Sequence, residues 1–120
     1  MPREKFQILT EQMFYILLCL REECCGTDIM EKVREMTKGR VMIGPGTLYN
    51  LLESFEEVGA IRQTRAEGRK RNYIITYEGK AMLKEEYQRL QKQMQDYEQF
   101  MRRKKYEGKI PDGRIQLLRL

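Results

Sequence analysis

A regular apolar repeat in the second half of the chain constrains its fold most strongly. Apolar residues recur at alternating steps of four and three, at Leu83, Tyr87, Leu90, Met94, Tyr97 and Met101. This spacing predicts one long helix with an a/d seam, from the N-cap Thr76 to about Lys104. At 1.5 Å per residue such a helix is about 40 Å long and outgrows the core of a small domain. It must pack back on its own domain or pair with a second copy, and we expect a homodimer.

Length and charge narrow the class of protein. The 120 residues carry a net charge of +5, and 34% of them are charged. A chain of this length supports one hydrophobic core, and its abundant helix-forming residues favour a mainly helical fold. The positive charge is concentrated, because residues 62–76 hold five cationic side chains and one anionic side chain. This concentration favours a polyanionic partner.

Several classes of protein are not expected. No apolar run approaches the roughly 20 residues that span a bilayer, and the N-terminus lacks the pattern of a signal peptide. The three cysteines are too few for a disulfide framework. We therefore expect a cytoplasmic protein without membrane association. Without histidine, a phosphate loop or a nucleophile elbow, the sequence predicts neither an enzyme nor a bound cofactor or metal.

Two helices are predicted before residue 40. The first, about Thr10 to Glu23, is apolar nearly all round, since a second set of apolar residues accompanies its core stripe: Phe14, Tyr15, Leu18 and Cys19. A helix of this kind must be covered on two sides, and we expect another subunit to supply the second cover. The second helix runs from about Asp28 to Thr37, with Thr27 as its N-cap.

A third helix and a hairpin follow. Gly44 caps this helix and Pro45 occupies its first turn, where a missing N–H does no harm. Its apolar stripe consists of Leu48, Leu51, Leu52, Phe55 and Val58. Two β-rich runs, Ile61 to Arg65 and Arg71 to Thr76, are joined by a turn at Gly68. The sequence thus predicts a mainly α fold with a small two-stranded β-hairpin that has a basic tip.

Three helices followed by a basic hairpin is the order of elements in a winged helix-turn-helix domain. The segments "GTLYNLLESFEEVGAI" and "GRKRNYIITYEG" resemble the PadR family of bacterial transcriptional regulators, over about Leu9 to Met101. The matched positions are Gly46, Thr47, Leu48, Tyr49, Leu52, Gly59, Ile61, Gly68, Arg71, Tyr73, Thr76 and Gly79. The sequence departs from the family pattern in two places: Asn50 replaces a usual proline, and Cys25-Gly26-Thr27 replaces a usual histidine-glycine-tyrosine.

The resemblance implies a winged helix-turn-helix DNA-binding domain over 1–76 and a C-terminal dimerisation helix over 77–106. The tail, 107–120, has no assignable period. The resemblance further implies a transcriptional regulator, with repression the family's habit, that binds double-stranded DNA at a pseudo-palindromic operator. It also implies a dimer in which the C-terminal helix packs on the partner's N-terminal helix. The alternative is a winged-helix module whose basic wing binds an acidic protein.

DNA contacts are predicted at the start of the third helix and at the hairpin tip: Gly46, Thr47, Tyr49, Asn50, Arg69, Lys70 and Arg71. Glycine lets the backbone approach phosphate at a dipole-positive helix end. Asn50 suits adenine, and the wing cations suit phosphates or a narrow minor groove. The alternatives are that Tyr49 covers the base of the hairpin and that the cations form a solvated turn. Three glutamates farther along the helix, Glu53, Glu56 and Glu57, would repel DNA and restrict its approach to the N-terminal end.

The predicted dimer interface comprises Phe14, Tyr15, Leu18, Leu83, Tyr87, Leu90, Met94, Tyr97 and Met101. Family resemblance also suggests a small aromatic or drug-like effector near this interface, in a pocket lined by Phe14, Tyr15, Met94 and Tyr97. The alternative is that these residues only pack the interface. Cys24 and Cys25 similarly suggest either a thiol or soft-metal sensor or simply buried cysteines.

Overall fold

Residues at the N-cap positions help to determine where the first and third helices begin. The computed structural model describes the backbone of residues 8–107 and their side chains except those of 67 and 103–107. Its helices are α1 (Glu11–Cys19), α2 (Gly26–Met36), α3 (Pro45–Glu57) and α4 (Tyr77–Glu107). Thr10 caps α1, since its Oγ1 accepts a hydrogen bond from the Met13 amide at 3.2 Å. Gly44 caps α3 with Pro45 in the first turn, as the sequence predicts. The mainly helical fold with a long C-terminal helix is therefore confirmed.

The sheet has one more strand than the predicted hairpin. Strands β1 (Cys24–Cys25), β2 (Ile61–Glu67) and β3 (Lys70–Ile75) form an antiparallel sheet in the order β1-β3-β2. In β1, Cys24 pairs with Tyr73, and Cys25 pairs with Asn72. The prediction of a two-stranded sheet was incomplete, because a two-residue strand exists only through this distant pairing.

Two predicted helix boundaries were wrong, and the sheet explains both. Helix α1 ends at Cys19 and not near Glu23, because the Leu20 carbonyl also accepts a hydrogen bond from the Ile75 amide of β3 at 2.8 Å. Helix α2 begins at Gly26 with Cys25 as its N-cap, and not after Thr27. Pairing with β3 holds Cys25 extended, so helical geometry can start at the next residue.

One hydrophobic core joins α1, α2, α3 and the sheet. Its largest fully buried side chains are Ile16, Leu17, Leu20, Ile29, Val33, Leu48, Leu52 and Phe55. The first turns of α4 contribute Met82, and Leu83 packs against the same cluster. The carboxylate of the buried Glu86 accepts a hydrogen bond from the Leu9 amide at 3.2 Å, which ties the start of the chain to α4.

The chain divides into two compact units, the first ending at Glu86 and the second beginning at Tyr87. The first unit contains the core just described. The second contains the remainder of α4. The domain limits predicted from the sequence stay predictions, and most of the predicted tail, 108–120, lies outside the described residues. Within residues 8–107, no helix is both long and apolar enough to cross a membrane.

Candidate nucleic-acid interface

The N-terminal end of α3 is open to solvent. Residues Gly44 to Thr47 are exposed, and no side chain caps the helix. A Cβ placed on Gly44 or Gly46 would meet no atom within 4 Å. The free first-turn amides and the positive end of the helix dipole therefore face unobstructed space, which suits an anion.

The polar side chains of the first two turns of α3 point away from the core, because Leu48 and Leu52 are buried. Thr47 and Asn50 are exposed, and the Asn50 amide forms no hydrogen bond with any described residue. Tyr49 is 47% exposed. Its ring lies over Gly26, where an added Cβ would stand 2.8 Å from the Tyr49 Cζ atom. Tyr49 thus packs on the start of α2, a contact that the sequence did not predict.

The hairpin tip carries the wing cations, Arg69, Lys70 and Arg71. Residues 67 and 70 pair across the turn, and Gly68 adopts a left-handed conformation with φ of 62°. All three cations are exposed, and none forms an ion pair with a described carboxylate. Arg65 differs, since its Nε lies 3.7 Å from a carboxylate oxygen of Glu23. The wing cations are therefore available to an external anion.

An open groove of about 660 Å³ lies between the wing, α3 and the start of α2. Its lining residues are Cys25, Gly26, Thr27, Tyr49, Glu53, Glu56, Gln63, Arg69, Lys70, Arg71 and Tyr73. It brings Tyr49 together with the three wing cations. Gly46, Thr47 and Asn50 are not among the lining residues; they lie on the exposed start of α3. The candidate interface therefore comprises this helix end and the adjoining groove.

The groove also has acidic lining residues. Glu53 and Glu56 line it opposite the wing cations, and Gln63 Nε2 donates to Glu56 Oε2 at 3.2 Å. Burial, and next the Glu56 carboxylate, raise the pKa of Tyr73 at the groove. Helical spacing places Glu53, four residues after Tyr49, on the same face of α3. Gln63 and Tyr73 reach the groove only because the chain folds, so no local sequence pattern could have identified them as lining residues.

The cysteines have the properties of core residues. Cys19, Cys24 and Cys25 are all buried and form no disulfide. Burial raises the pKa of the Cys19 thiol to about 11 and also raises the pKa of Cys24. The Cys25 sulfur lies 3.4 Å from Thr27 Oγ1. Among the described residues, no cluster of three or more metal-ligating groups is present. These features favour structural cysteines.

The predicted interface residues of α4 differ in exposure. Leu83 packs partly on the core, whereas Tyr87, Leu90, Met94 and Tyr97 of the second unit are exposed. Phe100, which the seam omitted, is 62% exposed and widens this apolar stripe. A surface cavity of about 480 Å³ is lined by Leu90, Gln93, Met94, Tyr97 and Glu98.

The predicted interface residues of α1 are half-buried in the first unit. Phe14 and Tyr15 pack edge to face with ring centroids 5.5 Å apart. Arg40 Nη2 donates to the Tyr15 hydroxyl at 3.1 Å, so Tyr15 already has a partner within its own chain.

Comparison with known proteins gives one family and several similar folds. The model of the "Transcriptional regulator PadR-like family" matches residues 16–85. A transcriptional regulator from Clostridium thermocellum, Cth-833, is similar in structure, with a TM-score of 0.64 and 23% identity over 75% of this chain and 91% of that chain. RosR of H. salinarum has a TM-score of 0.58 and 26% identity over 70% of this chain and 76% of its own. A complex structure of hsRosR-S1 has a TM-score of 0.58 and 22% identity over 97% of both chains. No curated protein matches significantly.

Proposed function

This chain belongs to the PadR-like family of transcriptional regulators, and we propose that it binds double-stranded DNA with the N-terminal end of α3 and the tip of the β2–β3 hairpin. Families of this kind regulate transcription and are not enzymes. In winged helix-turn-helix proteins the third helix enters the major groove, while the hairpin contacts the flanking backbone. The proposal assigns these two roles to α3 and to the wing cations.

The observation that carries the proposal is the position of Arg69, Lys70 and Arg71 beside α3. These cations are exposed and line one groove with the Tyr49 side chain of that helix. Because no described carboxylate neutralises them, they can replace the counterions of several neighbouring phosphates. Binding to phosphates would fix the orientation of α3 on the duplex.

The start of α3 would supply the base contacts. Gly44 and Gly46 leave space for close approach of the phosphate backbone, and Thr47 and Asn50 project from the first two turns. An asparagine amide matches the N6 and N7 edge of adenine, and a threonine can contact a phosphate or a thymine methyl group. Tyr49 packs against Gly26 and lines the groove, and it would contact a phosphate there.

We also propose that the regulator is a homodimer that represses transcription. The exposed apolar stripe of α4 supports pairing with a second copy, since Tyr87, Leu90, Met94 and Tyr97 keep the seam spacing. A symmetric dimer would read two half-sites of a pseudo-palindromic operator about 34 Å apart. Occupation of such an operator would exclude other proteins from it, and repression also follows the habit of the family.

We further propose that a small-molecule effector binds this regulator. Met94 and Tyr97 line a cavity of about 480 Å³, a size compatible with a small aromatic or drug-like molecule. Methionine and tyrosine surfaces adapt to varied apolar ligands. We propose that such a molecule contacts Met94 and Tyr97 and changes the affinity for DNA. A role for Phe14 and Tyr15 in binding it stays a prediction from the sequence.

A salt titration of DNA binding tests the wing. We expect the triple variant Arg69→Ala, Lys70→Ala, Arg71→Ala to bind all sequences more weakly. The slope of log affinity against log salt should fall by about one unit for each lost phosphate contact. The matched control is Lys32→Ala, Lys80→Ala, Lys84→Ala, which removes three exposed lysines that do not line the groove. It should retain nearly the wild-type slope. Equal slopes for the two triple variants would refute the wing assignment.

A further inference from the structure

We infer that Glu53 is a specificity-determining residue that reads the N4 amino group of a cytosine in the operator half-site. This inference rests on the proposed DNA-binding function and extends it to one base. It concerns a carboxylate of the groove that forms neither an ion pair nor a hydrogen bond with any described residue.

Glu53 lies within reach of the proposed contact residues. It is exposed, lines the groove with the wing cations, and follows Asn50 by three positions on α3. Side chains at this spacing are neighbours on a helix, about 5–6 Å apart at their Cβ atoms. Consecutive base pairs are separated by about 3.4 Å. A base read by Glu53 should therefore lie within one or two base pairs of the base read by Asn50.

The carboxylate of Glu53 has no partner in the described part of the chain. No described cation lies within ion-pair distance of it, and it accepts no hydrogen bond from a described donor. Glu56, on the same wall, instead accepts a hydrogen bond from Gln63. Helix α3 itself contains no lysine or arginine. The Glu53 carboxylate can therefore accept a hydrogen bond from a ligand. It would lower the affinity for DNA wherever the neighbouring base edges present only hydrogen-bond acceptors.

The chemistry of base edges selects the ligand. A carboxylate only accepts hydrogen bonds, and the major groove offers two donors, cytosine N4 and adenine N6. In adenine the acceptor N7 stands beside N6 and repels a carboxylate, whereas the cytosine edge presents its amino group without such a neighbour. Thymine O4 and guanine O6 would face the carboxylate with a lone pair. Cytosine is thus the base that Glu53 accepts best.

The test begins with an operator selected from random duplexes by the full-length protein. Affinities are then measured at one salt concentration for every single-base substitution of a half-site. We expect one cytosine whose replacement by thymine weakens wild-type binding by about tenfold, the size of a single good base contact. With Glu53→Gln this preference should fall below about twofold, at that position alone. The same variant should bind non-specific DNA more tightly, since it removes a negative charge near phosphates.

Glu57→Gln is the matched control, because Glu57 is an exposed glutamate of α3 that does not line the groove. It should tighten binding to all sequences slightly and keep the wild-type base preferences. Glu53→Ala provides a second variant, whose side chain can neither donate nor accept a hydrogen bond. An unchanged cytosine preference in both Glu53 variants would overturn the inference while leaving the proposed function intact. Failure of the wild-type protein to select any sequence would overturn both.

Discussion

Two glycines have different roles: we expect one to matter for stability and the other for DNA binding. A Cβ on Gly79, in the first turn of α4, would lie 2.7 Å from Ile75 Cγ1 and would also collide with the Ala60 carbonyl. A Cβ on Gly46 would meet nothing within 4 Å. Close packing accounts for the first glycine. The second faces open space at the proposed DNA-binding end of α3.

We therefore predict that Gly79→Ala lowers the free energy of unfolding by about 1–3 kcal/mol through overpacking. In a domain of this size each kcal/mol corresponds to roughly 4–8 °C in Tm. Gly46→Ala should leave Tm unchanged or raise it, because alanine favours a helix, yet should weaken DNA binding. Thermal unfolding and a mobility-shift assay measure the two effects. A similar loss of Tm in both variants would contradict this division.

The buried thiols allow a second prediction. With its pKa raised to about 11, Cys19 stays protonated at neutral pH and becomes a thiolate only as the pH rises towards that value. At pH 8 roughly one Cys19 in a thousand would be ionised, and the thiolate is the reactive form. We expect iodoacetamide to modify Cys19 slowly in the folded protein and rapidly in urea. Mass spectrometry with time points identifies the residue. Equal rates in both conditions would show that burial does not protect Cys19.

Elements specified by nearby residues could be predicted from the sequence, and elements specified by distant ones could not. Helix α3 follows from Gly44, Pro45 and its apolar stripe, and the hairpin turn follows from Gly68. Strand β1 has only two residues and depends on pairing with β3, about 50 positions away. Hydrogen bonding to β3 determines both where α1 ends, through Leu20, and where α2 begins, through Cys25. Local sequence patterns do not indicate that pairing.

The candidate site shows the same limit. The wing cations and the exposed start of α3 could be identified from charge and helical spacing. The groove between them could not, because its walls come from α2, α3 and the strands β1, β2 and β3, which meet only in the folded domain. The contact of Tyr49 with Gly26 is tertiary as well. Sequence patterns thus indicated the separate parts, and the fold brings Tyr49, Glu53 and the wing cations onto one groove.

The start of α4 depends on one hydroxyl group. Thr76 Oγ1 accepts a hydrogen bond from the Gly79 amide at 3.0 Å and donates one to the Gly59 carbonyl at 2.6 Å. We predict that Thr76→Ala lowers the free energy of unfolding by about 1–2 kcal/mol, the typical effect of losing an N-cap. Thr76→Ser keeps both hydrogen bonds and should lose much less. Urea denaturation compares the variants, and equal losses would show that the cap contributes little.

At the scale of the whole molecule, the second unit has the features of one partner of a helical pair. Its apolar stripe contains the exposed residues Tyr87, Leu90, Met94, Tyr97 and Phe100. Its other faces are polar, and Lys92 Nζ lies 3.6 Å from Asp96 Oδ1. Large exposed apolar patches are uncommon on monomeric proteins. The stripe therefore supports a dimer assembled through α4.

We predict that Met94→Glu weakens this dimer, since each copy would place a charge in an apolar seam. Sedimentation at micromolar concentration should show a shift from dimer to monomer. The matched control is Gln95→Glu, which adds the same charge at the next exposed position, outside the seam. It should remain dimeric. A wild-type monomer, or equal behaviour of the two variants, would contradict the assignment.

The central claim is that this regulator recognises a specific DNA sequence as a dimer. Selection of genomic fragments by the wild-type protein, followed by footprinting of the enriched DNA, tests it most directly. We expect one enriched pseudo-palindromic sequence, with two protected half-sites whose centres lie about 10 base pairs apart. Recovery of fragments without any shared sequence, and with uniform protection, would contradict the claim and favour a winged-helix module that binds an acidic protein.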